Sequence, residues 1–338
     1  MKRFVNLFLV ILAAVLVYSA FDTIIETRAA APVVVPAPLP AQPYLAQSLP
    51  GAEPQVFAYG VLNGELHSAP VFTPELTSVY WCAADGNNAF TNTMRVVGGN
   101  WTELKRLALA GGLDAACAPF ISPDGSRLLF LSAAPIPGST APQKENIWVA
   151  ERIADAWGEP HPLPTVINNL RIHWSFSTAS NGDLYFAAGE AGINDLYVSR
   201  FVDGEYAIPQ KLGAPVNSED EYELTPAIAP DGSYMVFSRL PKLQGHPRLY
   251  ITYAQPDGSW SQPALIRNIK YGFAPALSPG GEYLFFISDQ SSISWRDTSF
   301  VDLLRPKVKP HNDPFRIKTE QIPLTKILPK RGMIFIKS

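Results

Sequence analysis

The sequence predicts an all-β fold, and three observations carry that reading. Pro 32 and Gly 23 make up 55 of the 338 residues, and such a content argues against long helices, because Pro breaks helix ladders and Gly weakens helix interiors. The chain also holds 7 Trp, 13 Tyr and 18 Phe, side chains suited to a pleated, half-buried surface. Third, one turn pattern recurs along the chain at a nearly constant period, the mark of a repeat architecture.

The recurring segments are residues 121–130 (ISPDGSRLLF), 178–186 (TASNGDLYF), 228–237 (IAPDGSYMVF) and 277–286 (LSPGGEYLFF), with a looser copy at 72–80 (FTPELTSVY) in which Leu76 replaces the turn glycine. Pro74, Pro123, Ser180, Pro230 and Pro279 mark the same place in each and stand 49, 57, 50 and 49 residues apart. Each segment has the chemistry of a β-hairpin: an apolar strand, a turn in which Pro presets φ and Gly accepts positive φ, then an apolar-aromatic strand. A second hairpin follows in four units, starting at 93–97 (TMRVV), 146–150 (NIWVA), 194–199 (NDLYVS) and 248–252 (RLYIT) and turning at Trp101, Trp157, Tyr206 and Trp260. Two hairpins make a four-stranded antiparallel sheet. One such sheet per fifty residues describes a propeller blade, whose two faces are covered only when blades pack radially. Five modules fit between about residues 54 and 305. The fifth lacks a full second hairpin, so residues 55–59 (QVFAY) are expected to complete it, with six blades as the alternative.

Outside the ring, Lys2 and Arg3 precede an apolar stretch, residues 4–21, interrupted by Asn6, Tyr18 and Ser19. That is the pattern of a secretory signal and also reaches the lower limit of a membrane span, so residues 1–29 are expected to be a cleaved signal peptide or an N-terminal membrane anchor. Either places the body outside the cytoplasm, in the periplasm or extracellular space. Residues 30–53 form a Pro/Ala-rich linker, residues 54–305 the propeller, and residues 306–338 a basic, flexible tail. The net charge of −3 hides eight Lys/Arg in that tail against Asp313 and Glu320. A near-neutral, 17% charged composition disfavours general disorder and nucleic-acid binding. Membrane contact is expected only through the N-terminal segment, and the chain is expected to be a monomer.

The repeats resemble the PD40 or WD40-like β-propeller family, related to the propeller of the periplasmic protein TolB. The resemblance is carried by residues 54–60 (PQVFAYG), 70–76 (PVFTPEL), 144–148 (KENIW), 172–177 (IHWSFS) and 217–223 (NSEDEYE) leading into 229–232 (APDG). Ser180, Gly280 and everything after Pro306 depart from it. The resemblance implies the fold and an exported setting; it implies no reaction, because fold does not carry function.

Motifs for catalysis are lacking. There is no G-x-S-x-G elbow, H-E-x-x-H, P-loop or G-x-G-x-x-G. The sialidase Asp-box spacing fails as well, since Gly125 directly follows Asp124. Seven residues before each repeat position lie His67, Ala116, His173, Glu223 and Gly272, so two histidines and a carboxylate are expected at one height near the axis. His67, His173 and Glu223 are therefore candidate ligand-binding residues. They are the residue types that could hold a divalent cation, although no cofactor is required, and separately solvated side chains are the competing reading. The acidic run Glu219, Asp220, Glu221 and Glu223 is read first as a solvated loop and second as weak Ca²⁺ binding. Trp101, Trp157, Tyr206 and Trp260 are read first as packing and second as sugar-stacking platforms. Cys82 and Cys117 fall on adjacent modules, and whether they form a disulfide is open. The functional expectation is an exported binding module for an envelope protein or a glycan, engaging its ligand through loops and an axial channel. The alternative is a glycan hydrolase using carboxylates such as Glu223 and Asp114.

Overall fold

Alternation of side chains along each strand, apolar on both faces, is what builds the ring. In the second blade Leu129 and Leu131 face the third blade, while Leu128 and Phe130 on the same strand face the first. In the third, Leu184 and Phe186 pack toward the second blade, and Tyr185 and Ala187 toward the fourth. Met235 and Phe237 of the fourth blade meet the third, whereas Tyr234 and Val236 meet Leu284 and Phe286 of the fifth. Sheets buried on both faces need a neighbour on each side, and a closed ring supplies one to every blade.

The computed structural model describes residues 41–307 except 63, 87, 111–112, 114–116, 137, 139–144, 190–193 and 290. It forms five antiparallel blades, as the repeat predicts. The inner, second and third strands of blades 2 to 5 are Cys117–Ile121, Arg127–Ser132 and Asn146–Ile153; Ile172–Thr178, Leu184–Ala188 and Asp195–Ser199; Glu221–Ile228, Tyr234–Pro241 and Arg248–Tyr253; and Phe273–Leu277, Tyr283–Ile287 and Ile293–Asp297. In blade 1 the inner strand is split into Glu65–Leu66 and Val71–Phe72, both paired with Ser78–Asp85, which pairs in turn with Asn88–Val97. Two-residue outer strands finish the first four blades at Lys105–Arg106, His161–Pro162, Gln210–Lys211 and Ala264–Leu265.

Blade 5 takes its outer strand from the other end of the propeller. Gln55 pairs with Trp295 and Val56 with Ser294, and the Phe57 amide donates to the Ile293 carbonyl at 2.8 Å. Residues 300–304, left over once that strand is supplied from elsewhere, form the short helix Phe300–Leu304, whose Phe300 and Val301 pack between blades 4 and 5. Closure is reinforced by a segment the sequence reading assigned to the linker. That expectation is corrected for residues 41–53: Tyr44 and Leu45 are buried, and the Tyr44 ring packs among Phe72, Tyr283, Phe285 and Trp295 at 5.2 to 6.0 Å. The Asp297 amide donates to the Gly51 carbonyl, and Asn268 to the Ala52 carbonyl. Apolar burial overrides the extended preference of a Pro-rich run once an aromatic side chain finds a pocket. The expected signal or anchor at residues 4–21, the linker up to residue 40 and the tail beyond residue 307 lie outside the described residues. Among the described residues no helix is long and apolar enough to cross a membrane.

Candidate functional site

The inner strand of every blade presents one edge to the axis, and four of the five carry a proline there: Pro70, Pro119, Pro226 and Pro275, each four residues before the repeat proline. An edge strand tolerates Pro because that side of the backbone has no ladder partner to satisfy. Next to it the strand bulges. Register slips between Cys117 and Phe120, His173 and Phe176, Leu224 and Ala227, and Phe273 and Ala276. At the bulges Ala118, Trp174, Thr225 and Ala274 hold φ of 47°, 69°, 49° and 47°. Bulges re-aim side chains and recur at functional edges. The five strands enclose an axial cavity, about 780 Å³ of empty space with open solvent at its mouth included, and each blade contributes to its wall.

Trp174 stands apart in this set. Its neighbours in the other bulges are small, yet here an indole occupies a left-handed backbone that costs a bulky residue on the order of 1–3 kcal/mol. It is 48% exposed and meets Phe273 edge to face at 5.3 Å. These residues occupy the same repeat position, six before Ser180 and Pro279, in blades 3 and 5. Their chain neighbours Ser175 and Ala274 line the cavity.

The sequence-derived candidates fall differently. His67 is half-buried, its Nε2 3.8 Å from Glu65 Oε1. His173 is half-buried on the inner strand opposite Ala187. Glu223 is wholly buried: Ser218 Oγ donates to its Oε1 at 2.7 Å, and Arg239 Nε lies 3.1 Å from the same oxygen. Burial pushes the Glu223 carboxyl above its usual range although the Ser218 bond and the Arg239 charge oppose the shift. Arg239 also pairs with Glu221 at 3.3 Å and donates to the Pro215 and Val216 carbonyls. His67, His173 and Glu223 do not form a three-residue metal group. Among the described residues no group of three or more His, Cys, Asp or Glu side chains is placed to hold a metal ion. Asp114, the second carboxylate named for hydrolysis, and Ala116 lie outside the described residues. Of the acidic run, Glu219 and Asp220 are exposed, while Glu221 and Glu223 anchor Arg239.

The repeated aromatics are packing groups. Trp101 is buried and its indole donates to the Gln42 carbonyl; Trp157 donates to the Tyr80 hydroxyl of blade 1. Tyr206 rests on Phe201, and Trp260 meets Tyr185 of blade 3 edge to face. Cys82 and Cys117 form a disulfide with Cα atoms 5.1 Å apart, joining the second strand of blade 1 to the inner strand of blade 2.

Two asparagines escaped the sequence reading. Asn168 accepts from the Ile147 amide and donates to the Ile147 and Leu163 carbonyls; Asn217 does the same with Leu196 and Leu212. Each clamps the third and outer strands of its blade. Their separation, 49 residues, equals the repeat period and is the signal that would have found them.

No family model matches the chain, and no curated protein does. Similar solved structures include TolB from Acinetobacter baumannii, 14% identical over 67% of this chain and 53% of that one with a TM-score of 0.42. A putative TolB from Agrobacterium tumefaciens is 15% identical over 68% and 73% of the two chains, with a TM-score of 0.44. The endo-arabinase from Bacteroides thetaiotaomicron is 14% identical over 74% and 97%, with a TM-score of 0.47. The chain therefore spans about half the length of the Acinetobacter protein. At these values the β-propeller stands on this chain's own strand order and register, in which five blades close through Gln55–Val56.

Proposed function

We propose that this protein is an exported β-propeller binding module, which engages an envelope protein or a glycan through its rim loops and its axial channel. One observation carries the reading: all five blades converge on an axial cavity, and among the described residues no Asp, Glu, His, Lys or Arg lines it. Such a wall offers recognition surface without a side-chain acid or base to activate its hydroxyls. A glycan hydrolase would require two carboxylates about 5–10 Å apart in an open pocket, and Glu223 is held by Arg239 and Ser218 instead. The Cys82–Cys117 bridge supports the exported setting, because disulfides persist in oxidising compartments. The apolar segment at residues 4–21 supports it too.

Capture of envelope extract on the immobilised body, in parallel with a glycan array, tests the proposal. The expected result is a saturable partner or glycan without turnover of either. Release of cleaved sugar from the array, with no stable partner, would overturn the binding reading in favour of the hydrolase.

A further inference from the structure

Among the described residues the wall of the axial channel carries no charged side chain and is mostly apolar, and this narrows what can enter it. Proline has no N–H, and Pro119, Pro226 and Pro275 occupy the axial edge where three of the inner strands would otherwise present one. Of the lining hydroxyls, those of Ser122, Ser177 and Ser278 are spent inside the protein, whereas the buried Thr178 hydroxyl has no partner. Ser122 Oγ donates to Asp124 and accepts from the Arg127 amide; Ser278 Oγ donates to Glu282 and accepts from the Tyr283 amide. Ser177 Oγ donates to the Pro226 carbonyl of the next blade and accepts from the Ile228 amide. A carboxylate or a phosphate entering this channel would leave water and find no cation among the described lining residues, a loss of several kcal/mol for a buried charge. An apolar group loses nothing polar and gains contact with proline, alanine and phenylalanine carbon. Next in sequence to the lining residues Ser175 and Ala274, the half-exposed Trp174 and its partner Phe273 form an aromatic pair.

We infer that the axial channel binds an uncharged, apolar group of a small-molecule ligand, with the Trp174–Phe273 pair beside the site. This rests on the binding-module reading and deepens it: the rim remains available to a protein or glycan, and the channel takes the apolar part. The inference excludes anions from the channel.

Fluorescence titration with phenylnaphthylamine, an uncharged apolar probe, and with its sulfonated analogue anilinonaphthalenesulfonate tests it on the full chain. The expected result is saturable binding of one neutral probe per chain, at least tenfold tighter than the sulfonate. Ala276→Phe and Ser175→Leu, which place bulk on lining positions in blades 5 and 3, should each weaken the neutral probe at least tenfold. Leu243→Ser, which removes an apolar side chain that is 95% exposed, should leave it unchanged. Thermal unfolding and an intact Cys82–Cys117 bridge identify which of the two channel variants is folded, and either one suffices. Equal affinity for the two probes, absence of saturation, or binding lost in Leu243→Ser and retained in the folded channel variants would each overturn the inference. Partner or glycan capture that persists in Ala276→Phe, together with unchanged probe binding, would remove the channel proposal while leaving the binding module standing.

Discussion

Arg239 and Glu223 are the residues whose role is decided by register. They sit directly opposite each other across the first two strands of blade 4, and both are buried, with 8% and 0% of the side chain exposed. Two buried charges are tolerable only as a pair with further hydrogen bonds, which Ser218 and the Pro215 and Val216 carbonyls provide. Arg239→Met should cost about 3–5 kcal/mol because it strands the Glu223 carboxylate, and the double variant Arg239→Met/Glu223→Gln should recover a large part. Urea denaturation of the two variants checks this; equal losses in both would show that the pair is not the source. The charged partners were visible in the sequence, but their meeting was not, since the bulge between Leu224 and Ala227 shifts the pairing by a residue that no hydropathy pattern records. Leu76 is the opposite case. Its place in the repeat predicts a turn position that wants glycine, and its φ is 57°, beside 71°, 87°, 73° and 80° at Gly125, Gly182, Gly232 and Gly281. Leu76→Gly should raise stability by about 1 kcal/mol, the strain of a left-handed non-glycine residue less the added freedom of the unfolded chain, and a rise in urea midpoint measures it.

The hairpin turn is the element whose sequence logic is most complete, and it also makes the fold sensitive to acid. Asp124, Asp231, Asp289 and Asp297 each accept from the amide of a serine two residues on. Where the repeat departs from Asp, the acceptor moves: Glu282 takes the Ser278 hydroxyl in blade 5, and Asn181 accepts from the Asp183 amide in blade 3. Partial burial pulls Asp124, Asp231 and Asp289 upward, but the serine bonds outweigh it, while at Asp297 the Ser299 hydroxyl leads; all four carboxyls lie below their usual range. A folded pKa below the unfolded one gives stability that is present above the unfolded value, about 3.9 for Asp, and is lost as pH falls through the folded value. Glu223 works the other way, since a raised carboxyl is relieved by protonation. The Tm should therefore drop steeply below about pH 4, and Asp124→Asn/Asp231→Asn, which keeps the turn acceptors, should flatten that drop; an unchanged slope would exclude the turns as its cause. Elements far apart in sequence are joined by the disulfide, and Cys82→Ser/Cys117→Ser should lose about 3–4 kcal/mol for a loop of this length, read from denaturant midpoints of the oxidised wild type and the variant. The turns were legible because their chemistry is local. The Asn168 and Asn217 clamps and the bulges were not, because their partners lie on other strands.

For the molecule as a whole the decisive event is closure between blades 5 and 1. The other four interfaces join consecutive blades, whose proximity the chain itself enforces. This one brings together residues some 200 positions apart, so its loop-closure entropy must be offset by contacts made only at the seam. The repeat count and the incomplete fifth module told where the seam would lie, whereas the docking of Tyr44 was hidden by a composition that reads as a stalk. Gln55–Val56 supplies a short ladder, and Phe57, 1% exposed, sits 4.9 Å from Trp295 and 5.0 Å from Phe285, with Tyr44 beside them. Phe57→Ala should cost about 3–5 kcal/mol and act on the seam before the rest of the ring. In hydrogen exchange the amides of Tyr283–Ile287 and Ser78–Asp85 should lose protection ahead of those of Leu184–Ala188, which lies between intact neighbours. A uniform loss across all five blades would mean that the ring opens as one cooperative unit and that the seam is no weaker than any other interface.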